Sequence, residues 1–502
     1  MRRVGRRNAW PVFGALAAIV AAAALLRFVD LAANPGGLFG DEAAEGLDAT
    51  RLLHQPSFLP DFLVWFPDDA GREALFGYVV AGAFWLFGQS ALVLRATAAG
   101  FGVAGVLGIG VLGCRFGRWV GPVAAAWAAG SLWLVCVSRD GMRNAIVPVF
   151  GAAALIALLR WVKGPSRRSA AVAGAVTSLA ALYTYQPLKL LPVLLVVWLW
   201  WLRRTDRETY LRLRAGLVPF AAAFLVVAAP IMAVAVTEPA TYFGRAAATS
   251  VFNPTVEGDS NPLIHVLRTL AAFGLTGDPN PRQDVAALPL LPLPLAAVAG
   301  FGVVRLWGMR RDPSHSLILL ALPVFLLPPL IATEGGSPHF LRMLGLAAPL
   351  GVTVGLGGVE LVERVGGRWG HPAERLAIIA VAVTLAAVAA WSGWAYLTRP
   401  VADRYEAFSY PIVSLADLAA NHPGSAVVLD DYSAIDVRFL DFNRLPAIVA
   451  PGTSISNPTS YSEILALSRT DLVKALGTEL GGLAVPVAWD PSGSPSVWAV
   501  VP

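Results

Sequence analysis

The chain has 502 residues, 56% hydrophobic and only 14% charged, with a mean hydropathy of +0.62; a soluble globular chain carries roughly a quarter charged residues, so most of this one is expected to face lipid. The formal net charge is +5, but the basic residues stand in short clusters between apolar runs. That placement assigns them to membrane topology and excludes a nucleic-acid surface, while two cysteines, Cys114 and Cys136, at opposite ends of neighbouring apolar segments exclude a disulfide framework or a cysteine-built metal site.

Arg2, Arg3, Arg6 and Arg7 precede an apolar run over residues 11–26, a pattern that imitates a signal peptide. Arg27 and Asp30 follow it without a small-x-small cleavage site, so an uncleaved first span is expected. Further apolar runs lie near 91–113, 120–138, 144–162, 170–186, 188–202, 215–236, 286–306, 317–332, 343–361 and 376–396. Runs of about twenty apolar residues can cross ~30 Å of hydrocarbon as helices, which satisfy their own backbone hydrogen bonds. With the first run at 10–29, about eleven transmembrane helices are expected, eleven to thirteen with the ambiguous stretches. The abundant Ala and Gly suit close helix packing in lipid, and no repeat of fixed period is visible.

Between the runs, Arg115 and Arg118, then Lys163, Arg167 and Arg168, then Arg203, Arg204, Arg207, Arg212 and Arg214, then Arg310 and Arg311, then Arg364, Arg368 and Arg375 all fall on the N-terminal side. By the positive-inside rule that side is cytoplasmic. Counting residues 74–87 as a full crossing would move the later clusters outside, so this short segment reads as a re-entrant or interface helix, or as one continuous with the next span. Residues 30–90, 237–285, 333–342 and everything after about 397 then lie outside.

The last hundred residues change character. Strand-like runs at 426–429, 447–450, 483–489 and 497–501 alternate with helical patterns at 412–420 and 461–476. The expected architecture is an all-α polytopic membrane bundle over residues 1–396 with a small C-terminal α/β extracytoplasmic domain over 397–502.

The first outer loop carries Gly40-Asp41-Glu42-Ala43-Ala44-Glu45 and, about thirty residues on, Gly71-Arg72-Glu73-Ala74-Leu75-Phe76-Gly77-Tyr78. A helix starting at Asp41 would put Asp41, Glu45 and Asp48 on one face, able to present a carboxylate to a cavity. Equally, Asp41 could cap that helix, with Glu42 and Glu45 complementing its dipole.

Cationic motifs sit on the same side: Ser138-Arg139-Asp140-Gly141-Met142-Arg143-Asn144, Tyr183-Thr184-Tyr185-Gln186-Pro187-Leu188-Lys189 and Ser337-Pro338-His339-Phe340-Leu341-Arg342. Arg139 and Arg143, four apart, would project from one helical turn as two guanidinium forks for phosphate oxygens. The alternative is snorkelling to ordinary headgroups or pairing with Asp140. The polar turn over residues 276–284 reads as a lid or as a plain surface turn. His54, His265 and His339 lack metal-ligand spacing, and no phosphate-binding glycine loop is present.

In their order and common side, the Asp41-Glu42 pair, Glu73 before Leu75-Phe76-Gly77-Tyr78, the Arg139 to Arg143 stretch, the turn ending at Lys189 and Pro338-His339-Phe340-Leu341-Arg342 resemble the glycosyltransferase C superfamily. The likeness is to family-39-type enzymes related to protein O-mannosyltransferases and lipid A aminoarabinose transferases, over roughly residues 10–400. It implies a membrane glycosyltransferase that moves a sugar from a dolichol- or undecaprenyl-type polyprenyl-phosphate donor to a protein, lipid or glycan acceptor outside a bacterial plasma membrane.

By this resemblance Asp41 is the catalytic base or acceptor-orienting group and Glu73 the second acid. Arg139, Arg143, Lys189 and Arg342 would meet the lipid phosphate; Glu42, Glu45 and His339 would support the acceptor or a metal. Some distant relatives hold a divalent cation, for which Asp41, Glu42 and Glu73 could supply oxygens; no other cofactor is implied. Two departures keep sugar and acceptor open: Ala74-Leu75 stands where the aminoarabinose transferases have Lys-Pro-Pro, and Lys189 where Arg is common. The rival readings are a secondary transporter, which usually shows internal repeats and midplane charges, and a non-enzymatic envelope assembly or binding protein.

Overall fold

The computed structural model describes residues 10–54, 63–66, 71–248, 261–285, 287–332, 335–442, 444–451, 460–467, 473, 478 and 481–501. Each apolar run expected to span is helical within them. Among the described residues seven helices are long and apolar enough to cross a bilayer, from Trp10–Phe28 to His371–Leu397. An eighth crossing forms if Val120–Gly130 and Leu132–Arg139, bent by 60°, count as one broken span. Runs 170–186, 188–202 and 286–306 became Arg167–Leu182, Leu191–Thr205 and Leu293–Gly308, of 16, 15 and 16 residues, shorter than the roughly 20 that an upright crossing needs. Leu217–Thr237 leaves Val218, Leu225, Val226 and Val236 exposed, as a helix facing lipid does.

The break at Ser131 has a physical partner. Ser131 is extended (ψ 116°), which frees carbonyls of the preceding turn, and buried Arg27 of the first span donates to Ala128 O and Ala129 O, both at 3.2 Å. Elsewhere small residues bring backbones together. A Cβ on Gly302 would collide with the Thr353 carbonyl, and one on Gly357 with that of Val298, so Leu293–Gly308 and Ala347–Trp369 pack at a distance only glycine permits.

On the site-bearing end, Gly40–Leu53 is a helix, and the two-residue strands Trp65–Phe66 and Arg72–Glu73 pair antiparallel. Leu75–Phe87 follows as a separate 13-residue helix. It stops at Gly88 (φ 85°), and Ser90 caps the next helix by accepting from Val93 N, so of the readings for this segment the continuous one is excluded.

The C-terminal region carries a five-stranded sheet in the order Ala447–Val449, Ala426–Val428, Ile464–Leu467, Pro495–Val501, Leu483–Trp489. The first three pair parallel and the last two join antiparallel. The helix expected over 461–476 is corrected: Ile464–Leu467 is a central strand, because tertiary pairing on both edges outweighs a helix-like pattern; residues 468–472 and 474–477 lie outside the described residues. Helix Ala434–Leu440 docks on Gly40–Leu53, and its Phe439 is buried with Leu38, Phe76, Phe84 and Leu94 of the bundle.

Candidate functional site

Asp41 lies in the first turn of Gly40–Leu53, but the residue at the N-cap is Phe39. Glu42 reaches back instead, accepting from Phe39 N at 3.2 Å. Capping is thus served by the neighbour, and half-buried Asp41 lines a cavity of about 530 Å³. Arg72, Arg143, Lys189, Arg282 and Arg342 line the same cavity, with His339, Asn280 and Tyr185; Asp41 is the one carboxylate among its described lining residues.

Behind this wall the other acids hold the cations in place. Asp48 accepts from Arg72 Nε and Nη2, both at 2.8 Å. Glu45 accepts from Arg143 Nη1 at 2.5 Å, and Glu73 bridges Arg143 Nε and Lys189 Nζ, each at 3.1 Å. All three carboxylates are buried. Burial pushes the Glu45 and Asp48 carboxyls up against the pull of Arg143 and Arg72. For Glu73 burial also works upward, but Lys189 and Arg143 outweigh it and hold the group below the usual range. Glu73 therefore does not face the cavity as a second base; it fixes the two cations that do. Aromatic rings support them: Arg143 over Tyr185 at 5.5 Å and Lys189 over Tyr242 at 5.0 Å.

Arg139 is corrected. The helix ends there, Asp140 turns extended (ψ 138°), and the four-residue spacing to Arg143 no longer measures one helical turn. Arg139 is fully buried. It donates to Leu26 O, Val29 O and Asn34 O at 2.8, 2.9 and 2.8 Å, tying down the end of the first span, under the Tyr396 ring at 4.7 Å. Glu42 is likewise internal: Arg95 Nη2 and Nε meet it at 2.7 and 3.0 Å and Gly141 N at 2.5 Å. Glu45 stands behind Arg143, whereas His339 reaches the cavity.

The divalent-cation set of Asp41, Glu42 and Glu73 does not assemble, since Glu42 and Glu73 point their oxygens at arginine and lysine. Among the described residues no group of three or more His, Cys, Asp or Glu gathers as a cation site.

The 276–284 turn is a wall of the cavity, with Asp278, Gln283 and Asp284 buried. Asp278 accepts from Phe340 N at 2.6 Å and Gln283 from Leu341 N at 3.2 Å, joining the turn to the loop that carries His339 and Arg342. Burial raises Asp278 to about 6, and burial together with the Asp278 charge raises Asp284 to about 8. Arg282 lies over the Phe39 ring at 3.3 Å.

Arg72 and Arg282, which stand inside the 71–78 and 276–284 motifs, line the cavity without any local mark that sets them apart. Arg95 and Tyr432 carry no local sequence signal at all; the Tyr432 hydroxyl reaches Asp41 Oδ1 at 3.3 Å from the C-terminal region.

The cavity occupies one end of the bundle. Arg143, Lys189 and Arg342 immediately precede helices whose far ends carry Arg160 and Lys163, Arg203 and Arg204, and Arg368. At 1.5 Å per residue the shortest of these helices, Leu191–Thr205, already separates its two ends by about 22 Å.

No protein-family model matches the chain, and no curated protein matches it. Solved structures share its fold. The crystal structure of ArnT from Cupriavidus metallidurans bound to undecaprenyl phosphate aligns with a TM-score of 0.60 at 16% identity, over 97% of this chain and 98% of that one; the apo crystal structure gives 0.59 at 17%, over the same shares. The arabinofuranosyltransferase AftD from Mycobacteria aligns with a TM-score of 0.50 at 17% identity, over 99% of this chain but 40% of that one. At these identities the likeness establishes the fold alone, that of the ArnT structures, and the seven described helices long and apolar enough to cross a bilayer mark the chain as an integral membrane protein.

Proposed function

We propose that this protein is a membrane glycosyltransferase that moves a sugar from a polyprenyl-phosphate carrier to an extracytoplasmic acceptor. The observation that carries the reading is the cavity in which the Asp41 carboxylate faces Arg143, Lys189, Arg282 and Arg342. The fold's likeness to a protein crystallised with undecaprenyl phosphate supports a lipid phosphate as the anion those cations meet.

The chemistry follows from charge. An acceptor oxygen attacks the anomeric carbon, its proton passes to the Asp41 carboxylate, and the bond from that carbon to the phosphate oxygen breaks, the electron pair leaving with the phosphate. A positioned base typically contributes about 10²- to 10⁴-fold. The cations offset the negative charge that grows on the leaving oxygen, and since Glu45 and Glu73 anchor Arg143 and Lys189, little reorganisation is needed as it grows. No covalent sugar intermediate is required, so a single displacement with inversion is the proposed course.

The arginine-rich helix ends would face the cytoplasm with the N-terminus, placing the cavity and the C-terminal region outside a bacterial plasma membrane. In this reading residues 1–396 form the catalytic membrane unit and 397–502 the extracytoplasmic domain. The transporter alternative fits less well, because the charged cavity sits at one end of the bundle and not midway along it.

The test is to incubate the purified protein, in lipid nanodiscs, with a panel of polyprenyl-phosphate sugars and follow release of polyprenyl phosphate. Turnover of at least one donor, slowed about 10²- to 10⁴-fold in Asp41→Asn with folding intact, is expected; Asp41→Asn protein with normal turnover would rule out the base.

A further inference from the structure

The Asp41 helix is touched by more than the bundle. Helix Ala434–Leu440 and the turn before it lie along Gly40–Leu53 closely enough that two glycines there have no room for a side chain. A Cβ on Gly46 would collide with the Phe439 ring, and one on Gly40 would stand 2.8 Å from Cζ and 2.9 Å from the hydroxyl oxygen of Tyr432. Phe439 is buried against the bundle and stacks on Phe84 with centroids 6.1 Å apart. The anchor is firm, and it delivers the Tyr432 hydroxyl to Asp41 Oδ1 at 3.3 Å.

Two charge relations fit that placement. Tyr432 is nearly half exposed, but its partial desolvation and then the negative charge of Asp41 push the hydroxyl above its usual range, so it keeps its proton and donates to the carboxylate. Asp436, one turn further on, is buried, and burial followed by the Glu42 and Asp41 charges raises it to about 8. Near neutral pH it is therefore mostly protonated and adds little negative charge beside Asp41.

We propose that Tyr432 is a positioning residue for Asp41: its hydroxyl fixes the rotation of the carboxylate by holding one oxygen, leaving the other to meet the acceptor hydroxyl in the cavity. The C-terminal region thereby completes the active site rather than merely covering it. This rests on the reading of Asp41 as the base.

Tyr432→Phe keeps the ring that packs on Gly40 and removes only the hydroxyl. Full-length protein in nanodiscs, supplied with the donor that wild type turns over, should lose about tenfold in kcat, the scale of one lost hydrogen bond to a charged group. KM for the donor should stay within about twofold and Tm should not move. In the Asp41→Asn background the same substitution should lower the residual rate no further, because there is no base left to orient. Unchanged kcat in Tyr432→Phe overturns the proposal, as does an equal fall in both backgrounds, which would mark an effect independent of Asp41. If wild type turns over no polyprenyl-phosphate sugar, the parent reading fails first; an active wild type with a strongly slowed Asp41→Asn and a fully active Tyr432→Phe defeats this inference alone.

Discussion

Two clusters of opposite charge, built from the same stretches of sequence, meet different fates. Glu42 with Arg95, and Arg139 with the carbonyls at and just after the end of the first span, are sealed inside as clamps. Asp41, one residue before Glu42, and Arg143, four after Arg139, line the cavity. Backbone direction separates them: successive helix positions point about 100° apart, and the extended turn at Asp140 rotates Arg143 onto a different face from Arg139. What separates the two is access to the cavity: Arg143 and Lys189 are ion-paired as Arg95 is, yet they also line the cavity and Arg95 does not.

Asp41→Asn should cost about 10²- to 10⁴-fold in turnover while leaving Tm unchanged, whereas Arg95→Met, which strands the Glu42 charge, should destabilise by about 3–5 kcal/mol and be seen first as lost Tm and poor recovery from size exclusion. If Arg95→Met were as stable as wild type, the clamp assignment would be wrong. Arg342→Gln tests the cavity side more gently: Kd for undecaprenyl phosphate should weaken about tenfold, the ~1.4 kcal/mol of one charge-assisted contact, with Tm little changed. Arg143→Ala should weaken binding too but also lower Tm, since it strands Glu45 and one oxygen of Glu73.

The smallest effect concerns the wall turn. Asp284 carries a folded-state value of about 8 against an ordinary 3.8, so between these values the folded protein binds the extra proton and stability falls as pH rises. Asp284→Asn, which cannot ionise, should flatten the decline of Tm between about pH 5 and 8. An identical slope in the variant would show that this carboxyl does not control the turn.

Much of this was legible beforehand. Apolar runs long enough for a bilayer announced the helices, because a chain in lipid must satisfy its backbone locally. Asp41, Lys189 and Arg342 could be singled out as charges at the ends of such runs on one side. Arg139 could not be told from Arg143, because spacing assigns a shared face only if the helix continues, and it stops between them. The strand Ile464–Leu467 was hidden for a related reason: its pairing partners, residues 426–428 and 497–500, are distant in sequence.

What the order of amino acids determined alone is therefore the class of molecule, the end of the bundle that carries the charge, and a short set of acids and cations worth testing. Tertiary structure decided which of them are spent on one another: that Glu73 holds Arg143 and Lys189, that Glu42 belongs to Arg95, and that a tyrosine 391 positions away reaches Asp41. The reason is physical. Burial of apolar runs is written in local composition, but the partner of a charge depends on which distant segment packing brings within about 3 Å, and no local pattern encodes that distance.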